Sequence, residues 1–469
     1  MDNTKNILDS IKEASEIIKE SKGFVAILTH YDADGLSSGG ALLRLLYMLG
    51  KEGIVRSVSD LNEYDIKNFF RMDAAIHIIS DMGSGDLRLI KKFLRDFQVD
   101  QLMIIDHHKV LEDDVDHDKI KLVNPELYGL DGGAMDCSAV LASYLGYLST
   151  GDTYFYIPGL IGASGDMQLL EPKDLTKVLL EEAYSRGLVS KVKDFIFFSN
   201  RFLPIHKAIT WTFYPYIPNF SGRDDIGLSL VREAGIKLRR SDGSFRTVND
   251  LSDMERNQLL EKIVEYLANI GIVDLGPKDL MREYFVLTLE SDPLLKYLDD
   301  FTNIVNATGR MGYEFIGISL SAGVRGNLVN LAHDVYMKRR KTLAEYLSKA
   351  DKNIKIYDDK ILVIDLTGDN VNPRFSGTIA TLYSKSLKYR DKIVFVLTPA
   401  EDGIKISARA PKEDVTRGLN LAELMKILAG KYGGRGGGHN VAAGATIKGD
   451  VPQVIHFLVE NTISMMRSI

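Results

Sequence analysis

Phe24-Val25-Ala26-Ile27-Leu28, running into Thr29-His30-Tyr31-Asp32-Ala33-Asp34-Gly35, is the stretch from which the fold is read. An apolar run ends in a histidine and two aspartates at alternate positions. The pattern recurs where Ala75-Ile76-His77-Ile78-Ile79 meets Ser80-Asp81-Met82-Gly83, and where Leu102-Met103-Ile104-Ile105 meets Asp106-His107-His108-Lys109. A fourth polar segment, Ala163-Ser164-Gly165-Asp166-Met167, follows. Short apolar runs with β-branched members are expected to be buried parallel strands. Open α/β sheets bind ligands beyond the carboxyl ends of their strands. Strands that end in Asp and His therefore aim hard ligands at one crevice, the pattern of a binuclear metal site.

Alternate residues of an extended segment share a face, so His30, Asp32 and Asp34 can point into the same crevice. Two cations about 3.5–4 Å apart need a bridging carboxylate and separate ligands on each side. One arrangement meets that count: His30 and Asp32 on the first cation, Asp34, His107 and Asp166 on the second, and Asp81 between them. Mixed imidazole and carboxylate ligands favour Mn²⁺, with Mg²⁺, Co²⁺ or Zn²⁺ as alternatives. Asp106 is expected to orient a metal-bound histidine. Taken singly, Asp34 or Asp166 reads as readily as a helix N-cap. His77, alone in its apolar run, reads as a core residue. The four segments jointly carry the metal reading.

A chain of 469 residues exceeds what one hydrophobic core usually serves. Apolar strands alternate with helices from Phe24 to about residue 166, the sign of βαβ units and a parallel sheet. Residues 5–22, Leu175 to Tyr184 and Val189 to Phe198 read as helices. The aromatic and proline-rich stretch Trp211 to Phe220 reads as a connection. Ser252-Asp253-Met254-Glu255 is a capping box opening an amphipathic helix through Leu267, and Pro277-Lys278-Asp279-Leu280 a second helix start. Leu259, Leu260, Ile263, Val264 and Leu267 are more apolar surface than a small helical insert is expected to bury, which points to partner docking. A second α/β unit follows, with strands at Ile361 to Leu366, Ile393 to Leu397 and Ile404 to Ala408. The expected division is a catalytic domain over residues 1–200, a connection and helical insert over 201–300, and a substrate-binding domain over 301–469. A cleft is expected between the two main domains.

The net charge of −6 argues against a protein that coats nucleic acid by bulk electrostatics, though not against a nuclease that holds phosphates with metals and a few local cations. The basic clusters Arg239-Arg240 and Lys338-Arg339-Arg340-Lys341 read as solvated helix faces. The single cysteine, Cys137, excludes an intramolecular disulfide and fits a reducing cytoplasm. No stretch reaches the roughly 18 apolar residues of a membrane span, and Met1-Asp2-Asn3-Thr4 has no signal-peptide character. The expected location is cytoplasmic, with no membrane association.

His30-x-Asp32-x-Asp34-Gly35, Asp81, Asp106-His107-His108 and Ser164-Gly165-Asp166 resemble the four ordered motifs of the DHH phosphoesterase superfamily. Gly436-Gly437-Gly438-His439 resembles the motif of its DHHA1 second domain. Val305-Asn306-Ala307-Thr308-Gly309-Arg310-Met311-Gly312 is similar to the segment that leads into DHHA1 in RecJ proteins. Length and helical insert most resemble archaeal RecJ-like nucleases, relatives of the eukaryotic replication factor that joins GINS and the replicative helicase. The resemblance implies a metal-dependent exonuclease acting on single-stranded DNA or RNA, in replication or repair. Its alternatives are an oligoribonuclease or cyclic-dinucleotide phosphodiesterase, and a replisome scaffold with little catalysis. GINS or another replication protein is the implied partner. His108 would contact the scissile phosphate or protonate the leaving oxygen. No all-β segment matches the oligonucleotide-binding fold that bacterial RecJ adds.

Lys405, Ser407 and Arg409 alternate with Ile404, Ile406, Ala408 and Ala410, setting two cations and a hydroxyl on one strand face. Such a face suits phosphate oxygens. The glycine-rich Gly433 to His439 is expected as a loop whose backbone N–H groups approach a ligand. Gly436, Gly437, Gly438, His439 and Arg310 complete the candidate phosphate-binding set.

Overall fold

The computed structural model describes residues 2–59, 61–111, 118–130, 136–197, 201–213, 215–272, 280–401 and 403–467. The chain divides into two compact units, Met1–Val192 with Glu283–Arg339, and Lys193–Arg282 with Arg340–Ile469.

In the first unit, β1 (Val25–His30), β2 (Gly53–Val58), β3 (Ile76–Ser80), β4 (Leu102–Ile105) and β5 (Ile120–Val123) form a parallel sheet in the order β2-β1-β3-β4-β5. The apolar runs bury because both faces are covered: every residue of β3 and β4 is inaccessible. Ala26, Leu28, Ile79 and Ile104 pack with Phe69, Phe70 and Phe93. His77 sits in that core with its ring edge-on to Phe69 and Phe70, at 5.0 and 5.5 Å. Register pairs Thr29 with Ser80 and Ser80 with Ile105. His30, the last residue of β1, thus emerges beside Asp81 and Asp106, which follow β3 and β4. The helices Ala33–Met48, Ser138–Thr150 and Tyr156–Gly165 pack on one another beside them.

Residues 301–339 join this unit, not the C-terminal domain that the sequence suggested. The reason is a close-packed helical seam. The helices Leu298–Arg310 and Glu314–Ser321 pack on Ala33–Met48, burying Phe301, Ile304, Val305, Ile316 and Leu320. Thr302 donates to the carbonyl of Ile161 at 3.4 Å. Arg44 holds Asp152 through Nε at 2.8 Å and Nη2 at 2.6 Å, and donates to the carbonyl of Ala322 at 3.1 Å. At Gly309 a Cβ would lie 1.7 Å from the carbonyl oxygen of Tyr31, so this helix can approach the end of β1 only through glycine.

Strands β6 (Val189–Phe195) and β7 (Met281–Leu287) pair as a two-stranded sheet, and the division between units falls within both. Val189 to Phe195 is therefore a strand where a helix was expected. Gly187, at φ +67°, ends the preceding helix, and the Val-x-x-Val-x-x-Phe pattern pairs with β7. The expected helix start at Pro277 to Asp279 lies outside the described residues, and Met281 onward is strand.

The second unit carries the helices Asp224–Glu233 and Asp253–Asn269, the latter opened by the expected capping box of Ser252 and Glu255. Its apolar stripe is not free for a partner. Leu259, Leu260, Ile263 and Leu267 are buried and Val264 half-buried, because the helix packs on Asp224–Glu233. The main sheet of this unit contains β8 (Ile354–Tyr357), β9 (Ile361–Asp365), β10 (Ile393–Ala400), β11 (Gly403–Arg409), β12 (Gly434–His439) and β13 (Ala442–Ile447), in the order β12-β13-β11-β10-β9-β8. Ile404, Ile406 and Ala408 pack into a core with Leu421, Leu424, Met425 and Leu428 of the helix Leu421–Tyr432.

Gly309→Ala forces a methyl group into the Tyr31 carbonyl. We expect a loss of about 1–3 kcal/mol of stability, measured as a lower midpoint of thermal unfolding. An unchanged midpoint would show that the seam yields without cost.

Candidate metal centre

The carboxyl ends of β1, β3 and β4, together with the end of the helix Tyr156–Gly165, gather all six candidate ligands. His30 Nδ1 lies 3.1 Å from Asp32 Oδ2 and 3.4 Å from Asp81 Oδ2. His107 Nε2 lies 3.3 Å from Asp81 Oδ1, 3.4 Å from Asp166 Oδ2 and 3.7 Å from Asp34 Oδ2. Two donor sets result, His30-Asp32-Asp81 and Asp34-His107-Asp166, with ligand atoms within 4.8 Å of one another in each. Asp81 presents one oxygen to each set. Ligand atoms of Asp81, His107 and His108 also lie within 4.8 Å of one another.

Local structure explains the placement. Asp81, just past the end of β3, adopts a left-handed backbone (φ +60°), sparsely populated by non-glycine residues. Asp32 caps the helix Ala33–Met48 by accepting from the N–H of Gly35 at 3.1 Å. Asp34 accepts from the N–H groups of Ser138 and Ala139, both at 2.9 Å. Asp106 stands behind the ligands. It accepts from the N–H groups of Ser84, His107 and His108 and sits 2.8 Å from His108 Nδ1. Asn124 pins the same loop, donating to Ser84 Oγ at 2.8 Å and the carbonyl of His108 at 2.9 Å. His108 itself is half exposed.

The donor set fits divalent cations on three grounds. His30 Nδ1 and Asp81 Oδ2 are buried atoms without a hydrogen bond, although they face each other. Four carboxylates share the site, a formal charge that two divalent cations match. Their crowding also disfavours ionisation: burial and then Asp81 push Asp34 up to about 8, and burial and then Asp34 push Asp166 up to about 8. Burial works against a charged His30, yet Asp32 and Asp81 raise it to about 11. Burial likewise opposes charge on Asp106, but His108 and the backbone N–H groups hold it well below the usual carboxylate range. His108 is raised, chiefly by Asp106.

Arg310, assigned by sequence to the phosphate set of the second domain, lies in the first unit. Its Nη1 donates to Tyr31 Oη at 2.9 Å, and its charge helps depress Asp32 after burial and His30 are counted. The remaining phosphate candidates share one sheet in the second unit. Cross-strand pairs align Arg435, Thr446 and Lys405 in one row, Gly437, Gly444 and Ser407 in the next, and His439, Ala442 and Arg409 in a third. Paired residues share a face, so cations flank a floor of glycine. Ser407 Oγ lies 2.9 Å from Ser376 Oγ at the start of the helix Ser376–Ser384, and Arg409 Nε donates to Thr381 at 3.0 Å.

The expected glycine loop is instead the edge strand β12, because Gly434 to His439 pairs fully with β13. Gly436 points to the opposite face, where a Cβ would meet the carbonyl of Met425 at 2.2 Å, and Gly438 shares that face. Only Gly437 opens on the cationic face, where a Cβ would have no neighbouring atom within 4 Å. Sequence reasoning missed Ser138, Asn124 and Ser376. The one available signal was a serine at the head of an apolar helical run, Ser138-Ala139-Val140-Leu141.

Residues 358–464 match the DHHA1 domain family. An uncharacterized protein of Methanocaldococcus jannaschii is 28% identical over 465 residues, 97% of this chain and 96% of that one. Among solved structures, exonuclease RecJ bound to manganese is similar with a TM-score of 0.56 at 14% identity, over 97% of this chain and 94% of that one. CDC45 from Entamoeba histolytica is similar with a TM-score of 0.65 at 11% identity, over 98% and 97%. These likenesses show a RecJ-like fold, with a DHHA1 domain over residues 358–464. The matched residues contain β9 to β13, five of the six strands of the second unit's main sheet. No helix among the described residues is long and apolar enough to cross a membrane.

Cation binding must displace protons from this site, because imidazole and carboxylate ligands bind deprotonated. Raised Asp34, Asp166 and His30 stabilise the metal-free fold at low pH, and that contribution is lost as pH rises through about 8 and then about 11. Mn²⁺ should therefore raise the thermal midpoint more at about pH 8.5 than at about pH 6, with net proton release in calorimetry. Equal midpoint shifts at both pH values would contradict these protonation states. Asp81→Ala should abolish paired-cation binding while the fold persists; two Mn²⁺ bound at wild-type affinity would sink the bridging role.

Proposed function

We propose that this protein is a metal-dependent phosphodiesterase that degrades single-stranded DNA or RNA as an exonuclease, using two divalent cations, Mn²⁺ foremost with Mg²⁺ or Co²⁺ as alternatives. The observation that carries this reading is the pair of donor sets sharing Asp81. The first cation would be held by His30, Asp32 and Asp81, the second by Asp34, His107, Asp166 and Asp81. When bound, the cations supply a water acidic enough to ionise near neutral pH and positive charge against the phosphoryl oxygens.

The chain's own residues do the rest. Asp106 fixes His108 through Nδ1 and favours its cationic form, so the other ring nitrogen can contact the phosphate or give a proton to the leaving oxygen. Arg310, whose charge acts on Asp32, would hold a phosphate beside the metal ligands. Lys405, Ser407, Arg409, Arg435 and His439, around Gly437 and Gly444, form a face suited to the phosphates of a flexible strand, where backbone can approach backbone closely. The filled ligand set favours catalysis over a purely scaffolding role. Likeness in fold to CDC45 supports a place in DNA replication, with GINS or another replication protein as partner, although the helix Asp253–Asn269 does not offer its apolar stripe for docking.

End-labelled single-stranded DNA and RNA, long and four nucleotides in length, incubated with Mn²⁺ should be shortened stepwise, while duplex is spared. Turnover confined to the shortest RNA would make the protein an oligoribonuclease. Arg409→Ala should weaken single-strand binding and reduce the salt slope by about 0.7, with metal content unchanged. An unaltered slope would remove Arg409 from the phosphate face.

A further inference from the structure

One wall of the metal centre comes from outside the aspartate-histidine motifs. The helix Ser138–Thr150 meets two of the four carboxylates with its first turn. The N–H groups of Ser138 and Ala139 hold both oxygens of Asp34 at 2.9 Å. The Ser138 hydroxyl donates to Asp81 Oδ1 at 3.3 Å. Ser138 is completely buried. We propose that Ser138 is a positioning residue of the metal centre, whose hydroxyl sets the rotation of the Asp81 carboxylate so that each oxygen serves a different cation. The inference rests on the metal-dependent reading above.

The physical case lies in what Asp81 could otherwise do. A carboxylate can offer both oxygens to one cation or one oxygen to each of two. Here Oδ2 faces His30 Nδ1 and Oδ1 faces His107 Nε2. Each carboxylate oxygen has two acceptor sites. The hydroxyl occupies one site on Oδ1 and leaves the other for the donor set of Asp34, His107 and Asp166. Rotation of the carboxylate toward either set would strip a buried hydroxyl of its acceptor, which is unfavourable. The hydroxyl is not spent on the helix itself. The residue at the N-cap position is Cys137, which makes no side-chain capping bond, and the free N–H groups of the first turn are taken by Asp34. The backbone of Ser138 thus holds one ligand and its side chain another.

Ser138→Ala removes the hydroxyl and retains the N–H bonds to Asp34. In the full chain we expect it to bind the second Mn²⁺ roughly 10–100-fold more weakly and to lose the exchange-coupled electron paramagnetic resonance signal of a cation pair. Its circular dichroism spectrum should be unchanged. Ser138→Thr, which keeps a hydroxyl, should restore both affinity and signal. Two Mn²⁺ bound by Ser138→Ala with wild-type affinity and an unaltered coupled signal would overturn the proposal, as would a Ser138→Thr variant that loses the pair despite a native fold. A wild-type chain that binds the Mn²⁺ pair, loses it on Ser138→Ala and cleaves no phosphodiester would uphold the positioning role while defeating the proposed activity.

Discussion

Mutual repulsion among four carboxylates dominates the first unit. Asp32, Asp34, Asp81 and Asp166 converge within a few ångströms in a mostly buried pocket, where unit charges interact far more strongly than in water. A fold can hold such a cluster only by supplying compensation. The imidazoles of His30 and His107 sit among the carboxylates, and the first turn of the helix Ser138–Thr150 turns two N–H groups on Asp34. Divalent cations would complete that compensation and remove the need for the ligands to carry protons.

The scaffold behind the cluster is built to keep it from relaxing. Asp81 stands in a left-handed backbone conformation that an aspartate leaves unless its surroundings forbid it. Asp106 is satisfied by three N–H groups and His108, and so contributes rigidity rather than a free oxygen to the site. Asn124 reaches across from the end of β5 to tie the same loop. The helix Leu298–Arg310 closes on β1 through Gly309 and brings Arg310 beside Asp32.

The second unit carries a face of a different character. Its sheet has a floor without side chains at Gly437 and Gly444, with cationic rows on both sides. Gly436 and Gly438 serve packing instead, since their Cβ positions fall against the helix Leu421–Tyr432 and against β13. One glycine-rich segment therefore meets two separate demands, imposed by the two faces of a single strand.

The strand-end motifs were legible in the sequence because period-2 alternation and the direction of parallel strands are local properties. Apolar runs such as Ile76 to Ile79 locate the strands, and a residue just past a strand end must lie at the sheet's carboxyl edge. The alternation of Lys405, Ser407 and Arg409 was readable for the same reason. What the sequence by itself could not determine depends on contacts between distant segments. Whether Gly434 to His439 is loop or strand is decided by its pairing with β13, and whether Leu259 and Ile263 are exposed is decided by the helix that covers them. Residues 301–339 join the first unit through a helical seam, closed at Gly309, that no local pattern announces. Ser138 reaches the carboxylate cluster only because its helix starts against Asp34 and Asp81, residues 104 and 57 positions away, and such proximity is a property of tertiary structure alone.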